Sequence, residues 1–239
     1  MTSGSDDLPL LLFHGCGGTP AATFERTGWP QTFSTRRVDL INLPGHGPGS
    51  HSHSPSAYAD LAGSVATRLP DVFDAVGFSL GSKVLLDLAI RFPGRIRRLV
   101  LGGVGDNVFA RESVADAAAD ALEGRYSGDV PAPVSKFIST FDVKSNDRSA
   151  VAAVLRRPPN PLFKPDDFKN IIASVLLVNG TEDPIASNAE QLVSSLRPAQ
   201  VIWLKGVGHF DLPATPGFRE AAAEFLQAQV PQDDQEKIA

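Results

Sequence analysis

Cysteine is almost missing from this 239-residue chain: Cys16 stands alone, which excludes an intramolecular disulfide and any metal site built from several thiolates. Long basic blocks are missing too. Lysine and arginine number 22 against 27 aspartates and glutamates, and nothing longer than "GRIRRL" at 94–99 gathers positive charge. Neither a nucleic-acid partner nor an anionic membrane surface is therefore expected. No apolar run approaches the roughly 20 residues that span a bilayer. The opening "MTSGSDDLPLLLFHG" sets two aspartates, and no Lys or Arg, before a short apolar run, unlike the positive-then-apolar order of a secretory signal. Internal repeats and low-complexity stretches are absent as well. These absences lead to the expectation of a soluble, cytoplasmic protein that acts on a small molecule.

What is present is a chain that can bury a sizeable core. Its hydrophobic content is 42%, and α/β domains of this length commonly stay single, so one domain over 1–239 is expected. Strand-like apolar runs recur at 8–13, 37–42, 74–78, 97–103, 173–180 and 200–206. Helical patterns lie between several of them. Leu61, Val65, Ala66 and Leu69 share a face after Ser56 as a candidate cap; Ala189, Leu192, Val193 and Leu196 share another; a third helix starts at Thr215 and Pro216. Near-continuous apolar strands imply a sheet covered on both faces, hence a parallel doubly wound α/β architecture of about six strands. The alternation breaks from about 105 to 169, where an Ala-rich helical stretch and Pro-containing segments predict an insertion of short helices over one end of the sheet. The final polar "PQDDQEKIA" is expected to fray.

The segment "DAVGFSLGSKVLL" at 74–86 turns from strand to helix at Gly77-Phe78-Ser79-Leu80-Gly81. Glycines on both sides admit a crowded turn that larger side chains obstruct. In an open parallel sheet ligands bind beyond the carboxyl ends of the strands, so residues just after each strand converge there. Ser79 follows the third strand, Asp183 in "NGTEDP" the fifth, and His209 in "GVGHFDLP" the sixth. A hydroxyl is a poor nucleophile until a base takes its proton, and an imidazole held by a carboxylate is such a base. Blander roles stand beside each: Ser79 as a small turn residue, His209 as a loop histidine, and Glu182 or Asp106 in place of Asp183. His14 reads as a loop organiser. His46, His51 and His53 form a His-rich loop with no local acid or thiol to complete a zinc site, so solvated or packing roles are favoured. In "GCGGTP" Pro20 occupies the third glycine position of a dinucleotide loop, which disfavours nicotinamide binding although Asp39 lies about 20 residues on.

These ordered motifs, "FHGCGG", "LPGHGPGS", "GFSLG", "GTEDP" and "GVGHF", resemble the α/β-hydrolase superfamily over nearly the whole chain. The resemblance implies Ser79 as nucleophile, His209 as base and Asp183 as its orienting acid. It also implies an oxyanion hole from the N–H groups of Leu80 and Cys16, a lid over 105–169, and no cofactor or metal. Only a handful of residues precede the first strand, where the superfamily often has a further strand pair, so a trimmed sheet of about six strands is expected; Ser82 stands where a further glycine is common. Ester or thioester hydrolysis through an acyl-serine is the first expectation, with Phe109, Phe137, Phe141 and Phe163 as candidate acyl-site residues. The second is carbon–carbon hydrolysis or elimination on an acidic substrate, resembling the menaquinone-pathway enzyme of the same fold. Lys83 and the arginines at 111, 125, 148, 156 and 157 are its candidate anion contacts, against a plain reading of Lys83 as an exposed partner of Asp87. A ligand receptor that keeps the fold is the third.

Overall fold

The computed structural model describes residues 8–110, 113–159, 162–196 and 199–228. Arg111 and the C-terminal polar segment lie outside them. Six strands, β1 (Leu10–Phe13), β2 (Val38–Ile41), β3 (Phe73–Phe78), β4 (Ile96–Gly102), β5 (Ser174–Gly180) and β6 (Ala199–Leu204), form one sheet in the order β2-β1-β3-β4-β5-β6. Every neighbouring pair is parallel. Each expected strand is found, displaced by no more than a residue or two at its ends.

Residue parity divides the core. Leu11, Phe13, Phe73, Ala75, Leu99, Leu101, Val175 and Leu177 face one side of the sheet; Leu10, Leu12, Val76, Phe78, Val100, Leu176 and Val178 face the other. Helices α2 (Leu61–Ala66), α3 (Leu80–Arg91) and α7 (Glu190–Ser195) cover the first face. The short α1 (Trp29–Thr32) and α8 (Pro216–Gln227) cover the second, where Trp29 meets Phe218 edge-on at 4.9 Å. Because both faces are dry, the central strands are apolar at most positions, as expected of a parallel sheet, interrupted by Asp74 in β3, Arg97 and Arg98 in β4, and Ser174 and Asn179 in β5. The two edge strands depart: β2 is half-buried throughout, and in β6 Val201, Ile202 and Trp203 are each more than a third exposed.

One expected helix start is corrected, and a second stands without its capping bond. Ser56 does not cap α2; it lies in a separate 3-10 turn (Pro55–Tyr58), and Asp60 is the cap, its Oδ1 accepting from Gly63 N–H at 2.7 Å. Thr215 precedes α8 and Pro216 opens it, yet the Thr215 hydroxyl donates to the Asp211 carbonyl rather than capping. Between β4 and β5 stand α4 (Ser113–Leu122), α5 (Ala132–Thr140) and α6 (Arg148–Leu155). They bury Ala118, Ala119, Leu122, Val134, Phe137, Phe141, Val151 and Ala152 in a small core of their own, against which Cys16 and Phe210 pack. Among the described residues no helix is long and apolar enough to cross a membrane.

Candidate active site

Sheet order sets the site. The chain leaves β1 for β2 on one side and returns to β3 on the other, so a crevice opens at the carboxyl ends of β1 and β3. Ser79 occupies the turn from β3 into α3 with φ 52° and ψ −110°, and is the one non-glycine residue with positive φ among those described. Such a backbone costs on the order of 1–3 kcal/mol and persists only where its surroundings hold it. Here Ser79 N–H and the buried Ser82 hydroxyl both donate to the Gly102 carbonyl, at 2.8 and 2.9 Å. Ser82 thus ties α3 to β4. A Cβ at Gly77 would stand 2.6 Å from Ser82 N, and one at Gly81 would meet the Phe13 carbonyl; the glycines let α3 seat against β1 and β3.

The three strand-end residues meet. Asp183 Oδ2 lies 2.7 Å from His209 Nδ1, and His209 Nε2 lies 3.0 Å from Ser79 Oγ. Both Asp183 and His209 are buried. With Nδ1–H donating to the carboxylate, Nε2 is left to accept the Ser79 proton. Burial works against the charge on Asp183, but the hydrogen bonds from His209 and from the N–H groups of Ala186 and Ile185 outweigh it and hold the carboxyl below its ordinary range. The rival acids are elsewhere. Glu182 is exposed, and Asp106 accepts from the Leu192 and Gln191 N–H groups, capping α7 from outside that helix.

Beside this chain of hydrogen bonds lies a cavity of about 200 Å³ bounded by the loop after β1 (Gly15 to Gly18) and by Phe78, Phe137, Phe141 and Phe210. Among the described residues no charged side chain lines it. Phe109 and Phe163, also expected there, pack instead on Phe168 at 5.5 and 5.4 Å. Leu80 is the first residue of α3, where helix N–H groups have no intrahelical acceptor. Burial pushes the Cys16 thiol up to about 12, which leaves it protonated and unreactive near neutrality.

Lys83 is half-buried rather than exposed. It lines a small cleft with Arg157 and Asp87, and its ammonium is lowered to about 7, first by burial and then by Arg157. The other described arginines are engaged otherwise: Arg156 and Arg125 pair with Asp120 and Glu123, and Arg148 lies over the Phe141 ring. The His-rich loop disperses. His51 bonds the Gly47 carbonyl and His53 pairs with Asp147 at 2.7 Å, while His46 is buried beside His14. Sequence reasoning missed Asn146, which joins the insertion to the loops after β1 and β2.

The model of the alpha/beta hydrolase family matches residues 10–228. The 2-hydroxy-6-oxo-2,4-heptadienoate hydrolase of Pseudomonas putida is 29% identical over 92% of this chain and 90% of its own length. The pimeloyl-[acyl-carrier protein] methyl ester esterase of Nitrosomonas europaea is 25% identical over 72% and 78%. Among solved structures, MenH from S. aureus superposes with a TM-score of 0.72 at 19% identity, covering 95% of each chain. The enol-lactonase from Burkholderia xenovorans gives 0.69 at 20%, covering 93% of this chain and 92% of its own. With the six-stranded sheet and a family match over nearly its full length, this chain belongs to the alpha/beta hydrolase family and is an enzyme of the hydrolase class.

Proposed function

We propose that the chain is a serine hydrolase that cleaves a carboxylic ester or thioester through an acyl-Ser79 intermediate. The observation that carries the proposal is the unbroken hydrogen-bonded series Asp183, His209, Ser79, whose chain neighbours Phe78 and Phe210 line an apolar cavity. His209 takes the Ser79 proton as Oγ attacks the acyl carbon and returns it to the departing alcohol or thiol; water then repeats the sequence to release the acid. Asp183 holds the Nδ1–H tautomer and stabilises the imidazolium. The tetrahedral oxyanion is met by the N–H groups of Leu80 and Cys16, each donor of this kind contributing about 3–4 kcal/mol to the transition state. Phe137 and Phe141 face the acyl group, and the insertion over 105–169 acts as a lid that roofs the cavity. The chemistry calls for no metal or cofactor.

A fluorophosphonate probe read by intact mass tests this. One adduct on wild type, none on Ser79→Ala and much slower labelling of His209→Ala are expected. A folded wild type that takes no adduct, or an adduct that survives Ser79→Ala, would sink the proposal.

A second reading rests on a separate observation. Lys83 and Arg157 line one cleft, and both lie near enough to Cys16 to favour its ionised form. Two cations beside the oxyanion loop suit a substrate that carries a carboxylate, and one relative is named for a heptadienoate. On this reading the same Ser79 and His209 break a carbon–carbon bond or drive an elimination, and Lys83 binds the acid.

A further inference from the structure

Backbone bonding in the loop after β1 runs outward from Cys16 to a side chain of the insertion. Asn146 is buried, and its Nδ2–H donates to the Gly17 carbonyl at 3.0 Å. The Gly17–Gly18 peptide is trans, so its N–H leaves the opposite edge of the peptide plane. There Gly18 N–H donates to the Gly15 carbonyl at 3.2 Å, which His14 Nδ1–H also holds, at 2.8 Å. The Gly15–Cys16 peptide repeats the arrangement: its carbonyl is fixed from both sides, so the Cys16 N–H is fixed on the opposite edge. Hydrogen bonds in such a series polarise one another.

Two further contacts hold the middle of the relay. Gly17 N–H donates to His46 Nε2 at 3.0 Å, so this residue is gripped at both its N–H and its carbonyl. Its φ of +73° lies in the left-handed region, and a Cβ there would stand 2.8 Å from the Phe137 ring. Meanwhile Asn146 Oδ1 accepts from Gly47 N–H at 2.9 Å. One carboxamide therefore bridges the loops after β1 and β2 and the α5–α6 junction.

We infer that Asn146 is a positioning residue, aiming the Cys16 N–H through two intervening peptide units; this rests on the reading of Cys16 as an oxyanion donor. The consequence is a link between insertion and chemistry. The donor is correctly aimed only while the α5–α6 junction is seated on the Gly17 carbonyl.

The test uses Asn146→Ala and Asn146→Asp, the latter keeping an acceptor for Gly47 N–H while setting an oxygen against the Gly17 carbonyl. Turnover of p-nitrophenyl butyrate is measured per site titrated to completion with fluorophosphonate, so unfolded molecules are not counted. Both variants should lower kcat by about 10- to 100-fold, less than the 10²–10³ typical of removing a donor outright, with KM within about threefold. A kcat within twofold of wild type in both, or a loss carried by KM, overturns the inference. Failure of the serine-hydrolase reading appears separately, as wild-type turnover that survives Ser79→Ala or is absent. The relay is then judged on the Gly18 and Cys16 amide protons of Asn146→Asp. Upfield movement of both resonances supports it, and unmoved resonances overturn it.

Discussion

Acidification from pH 6 to pH 5 should destabilise this protein through two buried histidines that hold the loop after β1. His14 and His46 are fully buried, with ring centroids 5.0 Å apart. Each spans two backbone groups in one tautomer. His14 Nδ1–H donates to the Gly15 carbonyl while Nε2 accepts from Leu43 N–H at 3.1 Å; His46 Nδ1–H donates to the Pro44 carbonyl while Nε2 accepts from Gly17 N–H. A proton on either Nε2 would set donor against donor. Burial lowers His14 to about 4; burial, and then the proximity of His14, lowers His46 to about 3. Both pKa values are depressed, so between pH 6.5 and about 4 the unfolded chain binds protons that the folded chain does not, and stability falls as pH falls. Each histidine loses about 1.2 kcal/mol between pH 6 and 5, so the pair loses about 2.3 kcal/mol, or roughly 5–9 °C in Tm for a chain of this size. Urea unfolding at pH 7, 6 and 5 with a constant m-value measures this, and His46→Gln, which keeps an acceptor but cannot titrate, should halve the slope. A free energy flat within about 0.5 kcal/mol from pH 6 to 5 would refute the reasoning, since the carboxylates that also lose stability on acidification do so mainly below pH 4.

The acids and the cation give further tests. Asp183→Ala should cut turnover by about 10⁴-fold in a folded protein, whereas Asp106→Ala should lose about 1 kcal/mol as a missing α7 cap and keep its turnover per folded site; the opposite pattern would transfer the orienting role to Asp106. Lys83→Ala should raise KM for an anionic substrate about tenfold and leave a neutral ester unaffected, and equal effects on the two would remove Lys83 from the substrate site.

The strands were legible because burial on both faces leaves runs of mostly apolar residues, a signal that needs no knowledge of partners. Ser79, Asp183 and His209 were legible for a related reason: parallel strands deliver their C-terminal residues to one edge, so order along the chain becomes proximity in space. Helix caps were less so. Asp60 displaced Ser56 because residues 55–58 close a turn of their own first. Asp106 caps a helix from 86 positions away in sequence, which no local pattern announces. Asn146 has the same difficulty: directly before Asp147 and α6 it reads as a capping residue, yet its partners Gly17 and Gly47 lie 129 and 99 positions away. Phe109 and Phe163 were misassigned because an aromatic residue in an insertion carries no mark of which core it will join.

Strand spacing poses a last problem. Neighbouring strands lie about 4.8 Å apart, so Ser79 on β3 and the residues that follow β6 begin three strand spacings from one another, with the ends of β4 and β5 between. His209 must therefore reach back across the sheet. His209, which opens the 3-10 turn His209–Ala214, lies at the end of β4, where Gly103 has φ +66° and a Cβ would stand 2.9 Å from His209 Cε1. Asn179, buried at the end of β5, fixes that crossing by accepting from Gly103 N–H and donating to the Val104 carbonyl. A side chain at Gly103 would occupy the imidazole's own place, so the missing Cβ, together with the asparagine that holds the loop open, is what allows a histidine from the far edge of the sheet to reach a serine near its centre.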